Sequence, residues 1–507
     1  MATETARPPV DPFADDPRWA LVSRDPYPLL VGGRLTLAAD GATFPAISPR
    51  NDRPVATIAQ AGPTEVDAAV RAARAAVDEG PWGRTTARDR GRVLLRIADL
   101  LERHADELAF LEAIDAGKPI TSVRESDLAI SLDALHYFAG RARTSRGAAA
   151  EMPDPAVVHH ELLEPMGVVV EILPWNGPLW TGIQRLAAIL AAGNAAIVKP
   201  AQLTSLVFMR VAQLLVEADL PPGVVSVLAG PGGAVGEALV RHPGVDMVSL
   251  TGGIESGARV LEVAAPTVKR VSLELGGKNP NLVFADADLE VAVFWSALGA
   301  FANTGQICVC GSRILVERPI YETFVERLRV AAEGFVVGDP LDPATQLGPV
   351  IARSHAAKVW EYIEIGKAEA RLVTGGAPYT DPVRSAGPYV PPTVFADAPP
   401  SCRIAREEIF GPVVAVLPFE TEAEAIAVSN DTTYGLASGL FTRDLDRAWR
   451  VVRRLKAGQV YVNQWFSPGV LEAPSHGYRR SGYGGVGIEK YMQAKNVFFR
   501  VGEGQPG

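Results

Sequence analysis

Two stretches of the chain carry residues that could do covalent chemistry. Residues 271–280 read as a strand that ends in Glu274 and a Gly-Gly pair, where the lack of side chains lets another group approach the backbone. Residues 301–308 read as the end of an apolar helix, a glycine-containing turn and then Cys308. A thiol nucleophile and a carboxylate base are thus predicted to flank one pocket.

The context of each residue favours this interpretation over a structural one. A lone cysteine is usually a small core residue, and a lone glutamate is usually a solvated charge. Glu274, however, lies between leucines where the strand should be buried, so its charge needs a partner or a function. Cys308 lies in a turn rather than on an apolar face.

Composition limits the classes of protein to consider. The 507 residues are 48% hydrophobic and 21% charged, which is typical of a globular protein with two or three domains. A net charge of −9 gives no basic surface for nucleic acid, and the longest apolar stretch, 186–198, is too short to cross a membrane. Three cysteines indicate a reducing compartment, and no signal peptide is evident, so we expect a cytoplasmic protein.

An alternation of strands and helices organises the chain from Met166 onward. Four apolar runs, at 168–173, 195–198, 224–228 and 247–250, alternate with helical patterns. This pattern predicts an α/β fold with a doubly wound, Rossmann-like parallel sheet that binds ligands at the carboxyl ends of its strands. Residues 1–25 are predicted to be a loose arm.

Two glycine turns follow strands of this sheet. Residues 230–236 have the spacing G-x-G-x-x-x-G, and residues 251–253 read Thr-Gly-Gly. Each is expected to open a helix, whose free N–H groups attract phosphate. The first turn departs from the usual dinucleotide fingerprint, so a plain turn and a phosphate site both remain open for it.

Several motifs taken together resemble the aldehyde dehydrogenase superfamily. These are Glu-Leu-Gly-Gly-Lys-Asn-Pro at 274–280, Gly-Gln-Ile-Cys at 305–308 and Glu-Glu-Ile-Phe-Gly-Pro at 407–412, within a resemblance that runs over roughly 29–501. The resemblance implies a cofactor-binding domain at 1–144 and 166–276 and a second α/β catalytic domain at 277–476. It also implies a small β oligomerisation flap at 145–165 and 477–507, and hence a homodimer or homotetramer.

Two adjacent histidines lie in the first part of this flap. His159 and His160 cannot share one face of a strand or helix, so we predict no metal site there. We also predict no metal site in the rest of the chain.

The resemblance implies oxidation of a small-molecule aldehyde to its acid. Cys308 would be the nucleophile, Glu274 the base that activates water for thioester hydrolysis, and the Asn176 side chain a donor to the oxyanion. Cys310 is a competitor, because in an extended segment its side chain would point the same way as that of Cys308.

NAD or NADP is the cofactor that the resemblance implies. Lys199 would reach the adenosine ribose, and Glu408 the nicotinamide ribose, with Phe410 nearby. The full set of expected cofactor contacts is Leu173, Trp175, Lys199, Gln202, Gly232, Gly236, Thr251, Gly252, Gly253, Leu275, Glu408 and Phe410.

Departures from the family pattern carry further expectations. Gln202 stands where a glutamate usually repels the 2′-phosphate of NADP, so both cofactors are expected to be accepted. Gly253 replaces a phosphate-binding serine. Gly177 and Ala302 replace residues that are often Phe, which predicts a wide substrate tunnel for a bulky or aromatic aldehyde, with Trp465 and Phe466 as wall residues.

Three other readings stay open. An acylating enzyme would use coenzyme A in place of water, although the presence of Glu274 favours hydrolysis. A cysteine hydrolase needs a histidine beside the thiol, and none of the seven histidines lies in such a motif. A non-catalytic binding protein on the same fold is the third.

Overall fold

The computed structural model describes residues 11, 13–466, 471–473, 476–485 and 487–501. Parts of the predicted ranges 1–144, 277–476 and 477–507 lie outside these residues. Up to residue 274 the strands are β1 (Leu29–Val31), β2 (Arg34–Thr36), β3 (Thr43–Ser48), β4 (Arg53–Ala59), β5 (Val157–Pro165), β6 (Val168–Ile172), β7 (Ala195–Lys199), β8 (Val225–Val227), β9 (Met247–Thr251) and β10 (Arg270–Glu274). The helices of the same part are α1 (Pro63–Asp78), α2 (Ala87–Arg103), α3 (Ala105–Ala116), α4 (Ile120–Ser122), α5 (Ala129–Arg141), α6 (Pro178–Ala192), α7 (Leu206–Glu217), α8 (Glu237–Arg241) and α9 (Ile254–Ala264).

The remaining elements continue the alternation of strands and helices. The strands are β11 (Pro280–Val283), β12 (Arg313–Glu317), β13 (Arg371–Thr374), β14 (Thr393–Ala396), β15 (Val413–Phe419), β16 (Ala437–Phe441), β17 (Gln459–Val462), β18 (Gly482–Tyr483) and β19 (Met492–Arg500). The helices are α10 (Leu289–Phe301), α11 (Tyr321–Glu333), α12 (Arg353–Glu369), α13 (Arg403–Arg406), α14 (Glu422–Asn430) and α15 (Leu445–Val452).

The first sheet has the strand order β18-β10-β9-β6-β7-β8-β1-β2. Its five central strands are parallel and buried, as expected of apolar runs covered by helices on both faces. The chain runs from β6 to β7 and β8 on one side, then returns to add β9 and β10 on the other. The strand order therefore reverses between β6 and β9, and open α/β sheets generally bind ligands in a crevice at such a reversal, outside the carboxyl ends of the strands.

The second sheet has the order β13-β14-β15-β12-β11-β16-β17 and is parallel except for β13. Neighbouring residues of its strands alternate between two apolar clusters, one on each face. The connection from α10 to β12 contains Cys308, so a helix fixes one end of that loop and a strand of the sheet fixes the other.

A two-stranded ribbon stands apart from both sheets. β5 and β19 pair antiparallel from Val157↔Arg500 to Pro165↔Met492. Just before this ribbon the chain adds β18 to the edge of the first sheet, where Gly482 pairs with Glu274. The segment near the carboxyl end thus reaches the end of the strand that carries the predicted base.

The prediction of a loose arm up to residue 25 was wrong for its described part. Residues Pro17–Leu21 form a 3₁₀ turn, and the Trp19 ring meets the Phe110 ring edge-on with 5.3 Å between centroids. Asp11 pairs with the buried guanidinium of Arg50. Sequence reasoning missed this because the anchoring partners are distant in the chain.

Among the residues described, no helix combines the length and the hydrophobicity needed to cross a membrane.

Candidate active site

A run of left-handed residues places Cys308. After α10 ends, Asn303, Thr304 and Gly305 all have φ between 50° and 71°. At Gly305 a Cβ would lie 2.2 Å from the carbonyl oxygen of Gly411, so only glycine fits. This sharp turn reverses the chain and leaves Cys308 half-buried at its outer side.

Asn279 connects the strand of the predicted base to the cysteine loop. Its side-chain Nδ2 donates to the carbonyl oxygens of Cys308 (2.9 Å) and Cys310 (2.8 Å). Its Oδ1 accepts from the backbone N–H of Ala437 at 3.0 Å. A single buried amide therefore holds the Glu274 segment, the cysteine loop and β16 together, a role that the sequence motif did not reveal.

A second amide network positions Asn176. The Nδ2 of Asn176 donates to the carbonyl of Gln306 at 2.8 Å, and the Nδ2 of Asn303 donates to the carbonyl of Asn176 at 3.1 Å. The Gln306 side chain is itself held, because its Oε1 accepts from the N–H of Ile351 at 2.9 Å. An amide nitrogen carries two protons, so one N–H of Asn176 orients the group and the second can face an oxyanion.

Glu274 lies at the carboxyl end of β10. Its Oε1 accepts from the N–H of Gly485 at 3.0 Å. Burial raises the pKa of the carboxyl, while the charges of Arg185 and Lys490 act in the opposite direction. A carboxylate with a raised pKa is suited to take a proton from water near neutral pH.

The Cys308 thiol is protonated in this environment. Burial, followed by the negative charges of Glu274 and Glu408, raises the pKa of Cys308 to about 12. The structure thus brings the thiol and both carboxylates into one electrostatic neighbourhood. Removal of the thiol proton at neutral pH requires a base or a new positive charge.

Cys310 occupies a different environment. The predicted extended segment is a turn instead, because the N–H of Cys310 donates to the carbonyl of Ile307 at 2.9 Å. Cys310 is only 5% exposed, whereas Cys308 is half-buried. Of the two thiols, Cys308 is the one that a substrate can reach, and Cys402 is also buried.

Lys199 and Gln202 lie at the carboxyl end of β7. Lys199 is 2% exposed, its Nζ donates to the carbonyl of Pro200 at 3.0 Å, and burial lowers its pKa to about 8. Its Cδ lies 3.8 Å from the point where a Cβ on Gly236 would be. Gln202 is exposed and begins a 3₁₀ turn.

The two glycine turns leave open space at the same edge of the sheet. A Cβ on Gly232 or Gly253 would meet nothing within 4 Å, and Gly253 is the N-cap of α9. Within the described part of the chain, the buried Oγ1 of Thr251 has no hydrogen-bond partner. The N–H of Gly252 donates to the carbonyl of Glu274 at 3.0 Å and so is not available to a phosphate. Open backbone, an unpartnered hydroxyl and a helix N-terminus fit a dinucleotide phosphate.

Of the other expected cofactor residues, Leu173 and Trp175 follow β6, Leu275 follows β10, and Phe410 lies in the 407–412 motif. Trp175 packs edge-on against Phe410 with 5.2 Å between centroids, and Leu173 and Leu275 are buried. Phe410 has φ +60°, and its carbonyl lies 2.6 Å from Nε2 of His355, whose pKa is lowered by burial. No motif pointed to His355.

Glu408 explains the Gly-Gly pair after the predicted base. Its Oε1 accepts from the N–H of Gly277 at 2.9 Å. A Cβ on Gly276 would lie 2.0 Å from Oε2 of Glu408, so the glycine is required for this approach. Burial raises the pKa of the Glu408 carboxyl.

The predicted substrate residues Ala302 and Phe466 differ from Trp465 in their exposure. Ala302 and Phe466 are half-buried, and Gly177 lies beside Asn176. The space next to Gly177 is filled, because a Cβ there would lie 2.1 Å from Nε1 of Trp180, a residue that sequence reasoning missed.

Trp465 does not present a surface to a substrate in this structure. Its side chain is fully buried against Gly299, Gly311 and Gly439, and its Nε1 donates to the carbonyl of Val309 at 3.0 Å. The three glycines come from separate elements, so the sequence around Trp465 does not reveal that it is buried.

Comparison with known proteins identifies the class. Residues 36–497 match the model of the Aldehyde dehydrogenase family. The chain is 40% identical over 457 residues to a betaine aldehyde dehydrogenase of Bacillus subtilis (strain 168), covering 89% of this chain and 93% of that one. It is 41% identical over 475 residues to aldehyde dehydrogenase 1 of Tanacetum cinerariifolium, covering 92% and 94%.

Solved structures agree with these matches. Betaine aldehyde dehydrogenase from Staphylococcus aureus, in complex with NAD+, superimposes with a TM-score of 0.93 at 36% identity, covering 97% of this chain and 99% of that chain. The NAD-dependent aldehyde dehydrogenase from Sinorhizobium meliloti gives 0.93 at 39% identity, covering 98% and 99%.

The chain belongs to the aldehyde dehydrogenase family. The predicted class of enzyme, an NAD(P)-dependent aldehyde dehydrogenase, and the predicted α/β fold are confirmed.

Proposed function

We propose that this protein oxidises an aldehyde to a carboxylic acid through a covalent adduct on Cys308. The observation that carries the proposal is the bridge made by Asn279, which holds the Cys308 loop against the segment that carries Glu274. The proposed nucleophile and base come from separate parts of the chain, and this contact supports their placement in one pocket.

The chemistry of each step follows from these groups. The Cys308 thiol releases its proton to solvent, its sulfur bonds to the aldehyde carbon as the carbonyl double bond opens, and the second N–H of Asn176 stabilises the resulting oxyanion. As that oxygen re-forms the double bond, the carbon loses its hydrogen as hydride, for which bound NAD(P)+ would supply the acceptor. Glu274 then takes a proton from water, the water oxygen bonds to the acyl carbon, and the carbon–sulfur bond breaks to release the acid.

Cofactor placement is part of the proposal. Lys199 and Gln202 would face the adenosine ribose, Gly232, Gly236 and Thr251 the pyrophosphate, and Glu408 the nicotinamide ribose. Because Gln202 is uncharged, we propose that NADP is accepted along with NAD. A strict NAD preference in kcat/KM would overturn this.

The substrate is proposed to be a bulky or aromatic aldehyde. Support comes from Ala302, which is small where larger side chains are common in this family, and from the half-buried indole of Trp180, which fills the space beside Gly177 with an aromatic ring. Two of the relatives are named betaine aldehyde dehydrogenases, so betaine aldehyde is the second candidate.

A panel of aldehydes tests activity and substrate together. NAD(P)H absorbance is followed with benzaldehyde-sized aldehydes, betaine aldehyde and acetaldehyde, without coenzyme A, and the acid product is identified. We expect the highest kcat/KM for the benzaldehyde-sized compounds and no turnover by Cys308→Ala. Turnover by Cys308→Ala, or strict dependence on coenzyme A, would overturn the mechanism, and a preference for acetaldehyde would overturn the substrate proposal.

The β5–β19 ribbon supports a proposed homodimer or homotetramer. The side chains of Leu162, Phe498 and Phe499 on this ribbon are 47%, 59% and 52% exposed. Several large apolar side chains exposed on one element are typical of a surface that contacts another protein.

A further inference from the structure

Three polar residues form a row across the apolar centre of the first sheet. The register pairs Glu171 of β6 with Ser249 of β9, and Ser249 with Ser272 of β10. All three are at most 3% exposed. Polar side chains in such a position need hydrogen-bond partners, because burial without them is costly.

The partners come from the segment near the carboxyl end of the chain. Nζ of Lys490 donates to Oγ of Ser249 at 3.3 Å and to Oγ of Ser272 at 3.2 Å. The hydroxyl of the neighbouring Tyr491 donates to Oε2 of Glu171 at 3.2 Å. Lys490 therefore projects its ammonium onto this face of the sheet.

Glu274 lies on the same face. Residues two apart on a strand point to the same side, so the Glu274 side chain is one step beyond Ser272 toward the carboxyl end of β10. The same carboxyl-terminal segment contacts Glu274 directly, through the N–H of Gly485. Arg185 of α6 holds that loop, with its Nη1 donating to the carbonyl of Gly485 at 2.8 Å.

Two cations consequently flank Glu274 in this cluster. The charged and titratable groups around Glu274 and Lys490 are Glu171, Arg185, Cys308, His476 and Tyr491. Arg185 and Lys490 both lower the pKa of Glu274 against the effect of burial. Burial and the charge of Arg185 lower the pKa of Lys490 itself to about 7.

We propose that Lys490 is a positioning residue that keeps Glu274 ionised during thioester hydrolysis at neutral and mildly acidic pH. The inference rests on the proposed function, since it concerns the step in which Glu274 accepts a proton from water. Lys490 touches neither substrate nor cofactor and acts on the carboxylate through its charge and its hold on β9 and β10.

The test compares the pH profile of kcat in wild type, Lys490→Met, Lys490→Gln and Lys490→Arg. Without the charge, the pKa of Glu274 rises, so the acid limb of the profile should move up by about half a pH unit or more, which is roughly a threefold loss below that limb. Above about pH 9 the lysine is mostly neutral, so variant and wild type should converge to within about twofold. Lys490→Arg should restore the acid limb.

A rapid-mixing experiment assigns the effect to hydrolysis. With saturating aldehyde at pH 6.5, Lys490→Met should keep a burst of about one NAD(P)H per site, followed by a slower steady rate than wild type. Lys495→Met is the matched control, since Lys495 is exposed on β19 and pairs only with Glu164 in the described structure. Its profile should match that of wild type.

The possible outcomes separate the two proposals. A uniform loss of kcat at every pH, a slower burst or no change in Lys490→Met would overturn the role of Lys490 while wild-type turnover stands. Lys490→Gln keeps a polar group near the two serines, so it carries the test if the methionine variant does not fold. Absence of any NAD(P)H formation by wild type with every aldehyde would overturn both proposals.

Discussion

At the scale of single residues, the pKa values of Cys308 and Glu274 are set by burial and by neighbouring charges. Burial and the negative charges of Glu274 and Glu408 raise the pKa of the Cys308 thiol, and the charges of Arg185 and Lys490 lower the pKa of the Glu274 carboxyl against the effect of burial. The Cys308 thiol therefore needs a base or a nearby positive charge before it can act as the proposed nucleophile.

Alkylation of Cys308 tests whether its thiol is protonated at neutral pH. Below its pKa the thiolate fraction rises about tenfold per pH unit. With the pKa of Cys308 raised to about 12, the rate of iodoacetamide labelling of the cofactor-free protein should climb from pH 7 to pH 10 without levelling off. Labelled peptides are quantified by mass spectrometry, with Cys308→Ala as control. A plateau near pH 8 would contradict the description of the pocket.

Gln202→Glu tests cofactor selection. The added carboxylate should repel a 2′-phosphate and accept a hydrogen bond from a 2′-hydroxyl. We expect kcat/KM with NADP to fall by about tenfold, equivalent to about 1.4 kcal/mol, while kcat/KM with NAD stays or rises. The matched control is Gln202→Asn, which adds no charge. An equal loss with both cofactors would argue against this contact.

The role of Asn279 could not be predicted from the residues alone. The sequence motifs predicted Glu274 and Cys308, because a carboxylate and a thiol can act as base and nucleophile. Asn279 acts through geometry, because its amide reaches two carbonyls 29 and 31 residues away. His355, Trp180 and Arg185 were missed for the same reason.

At the scale of elements, the turn between α10 and Cys308 is the most constrained piece of backbone in the site. Three consecutive left-handed residues are held there by a contact with Gly411 and by the hydroxyl of Thr304, which donates to the carbonyl of Gly348 at 2.9 Å. Such backbone persists only where the surroundings enforce it.

Gly305→Ala should disturb this turn. A left-handed alanine costs about 1–2 kcal/mol, and the clash with Gly411 adds to it. We expect a free energy of unfolding lower by about 2 kcal/mol or more and a large loss of kcat, measured by denaturant titration and steady-state kinetics. Gly140→Ala, in open space near the end of α5, is the control and should be neutral or stabilising. Wild-type stability and kcat in Gly305→Ala would contradict the constraint.

Element types were largely predictable, since buried parallel strands are apolar runs and the helices between them are amphipathic. Where the structure differs from the expectation, at Trp465 and at the arm before residue 25, an aromatic side chain packs against residues far away in the sequence. Periodicity reports which face of an element is apolar and carries no information about which distant partner covers it.

At the scale of the whole molecule, buried charges join parts that are distant in sequence. Nε of Arg50 lies 2.8 Å from both carboxylate oxygens of Asp339, and its other nitrogens pair with Asp11. Arg50 is 3% exposed. This pair fastens the segment before α1 to the part of the chain that contains the second sheet.

Arg50→Met should leave two carboxylates partly buried without a cation. Loss of one partner of a buried ion pair typically costs about 3–5 kcal/mol. We expect a lower unfolding midpoint with unchanged KM values, and partial recovery in Arg50→Met/Asp339→Leu. Thermal and denaturant unfolding measure this, and a change below 1 kcal/mol would show that the pair contributes little.

Replacement of Phe498 and Phe499 by Ser tests the ribbon as an assembly surface. If copies of the chain associate through it, the double variant should elute with a smaller mass in light scattering, and an unchanged mass would exclude these two side chains from the interface. Phe294→Ser, at an exposed position 60% accessible on α10, serves as control.

The position of β18 has a consequence for how the enzyme matures. Gly482 and Gly485 contact Glu274, the proposed base, and Lys490 contacts Ser272 on the same strand, so the first sheet can be otherwise complete in a growing polypeptide while Glu274 still lacks these surroundings. Domains fold as they emerge from the ribosome, amino-terminal parts first. Glu274 would therefore gain these contacts only after residues 482–490 have left the ribosome. A protease cut before residue 482 would leave a folded protein that forms the acyl-enzyme but hydrolyses it slowly.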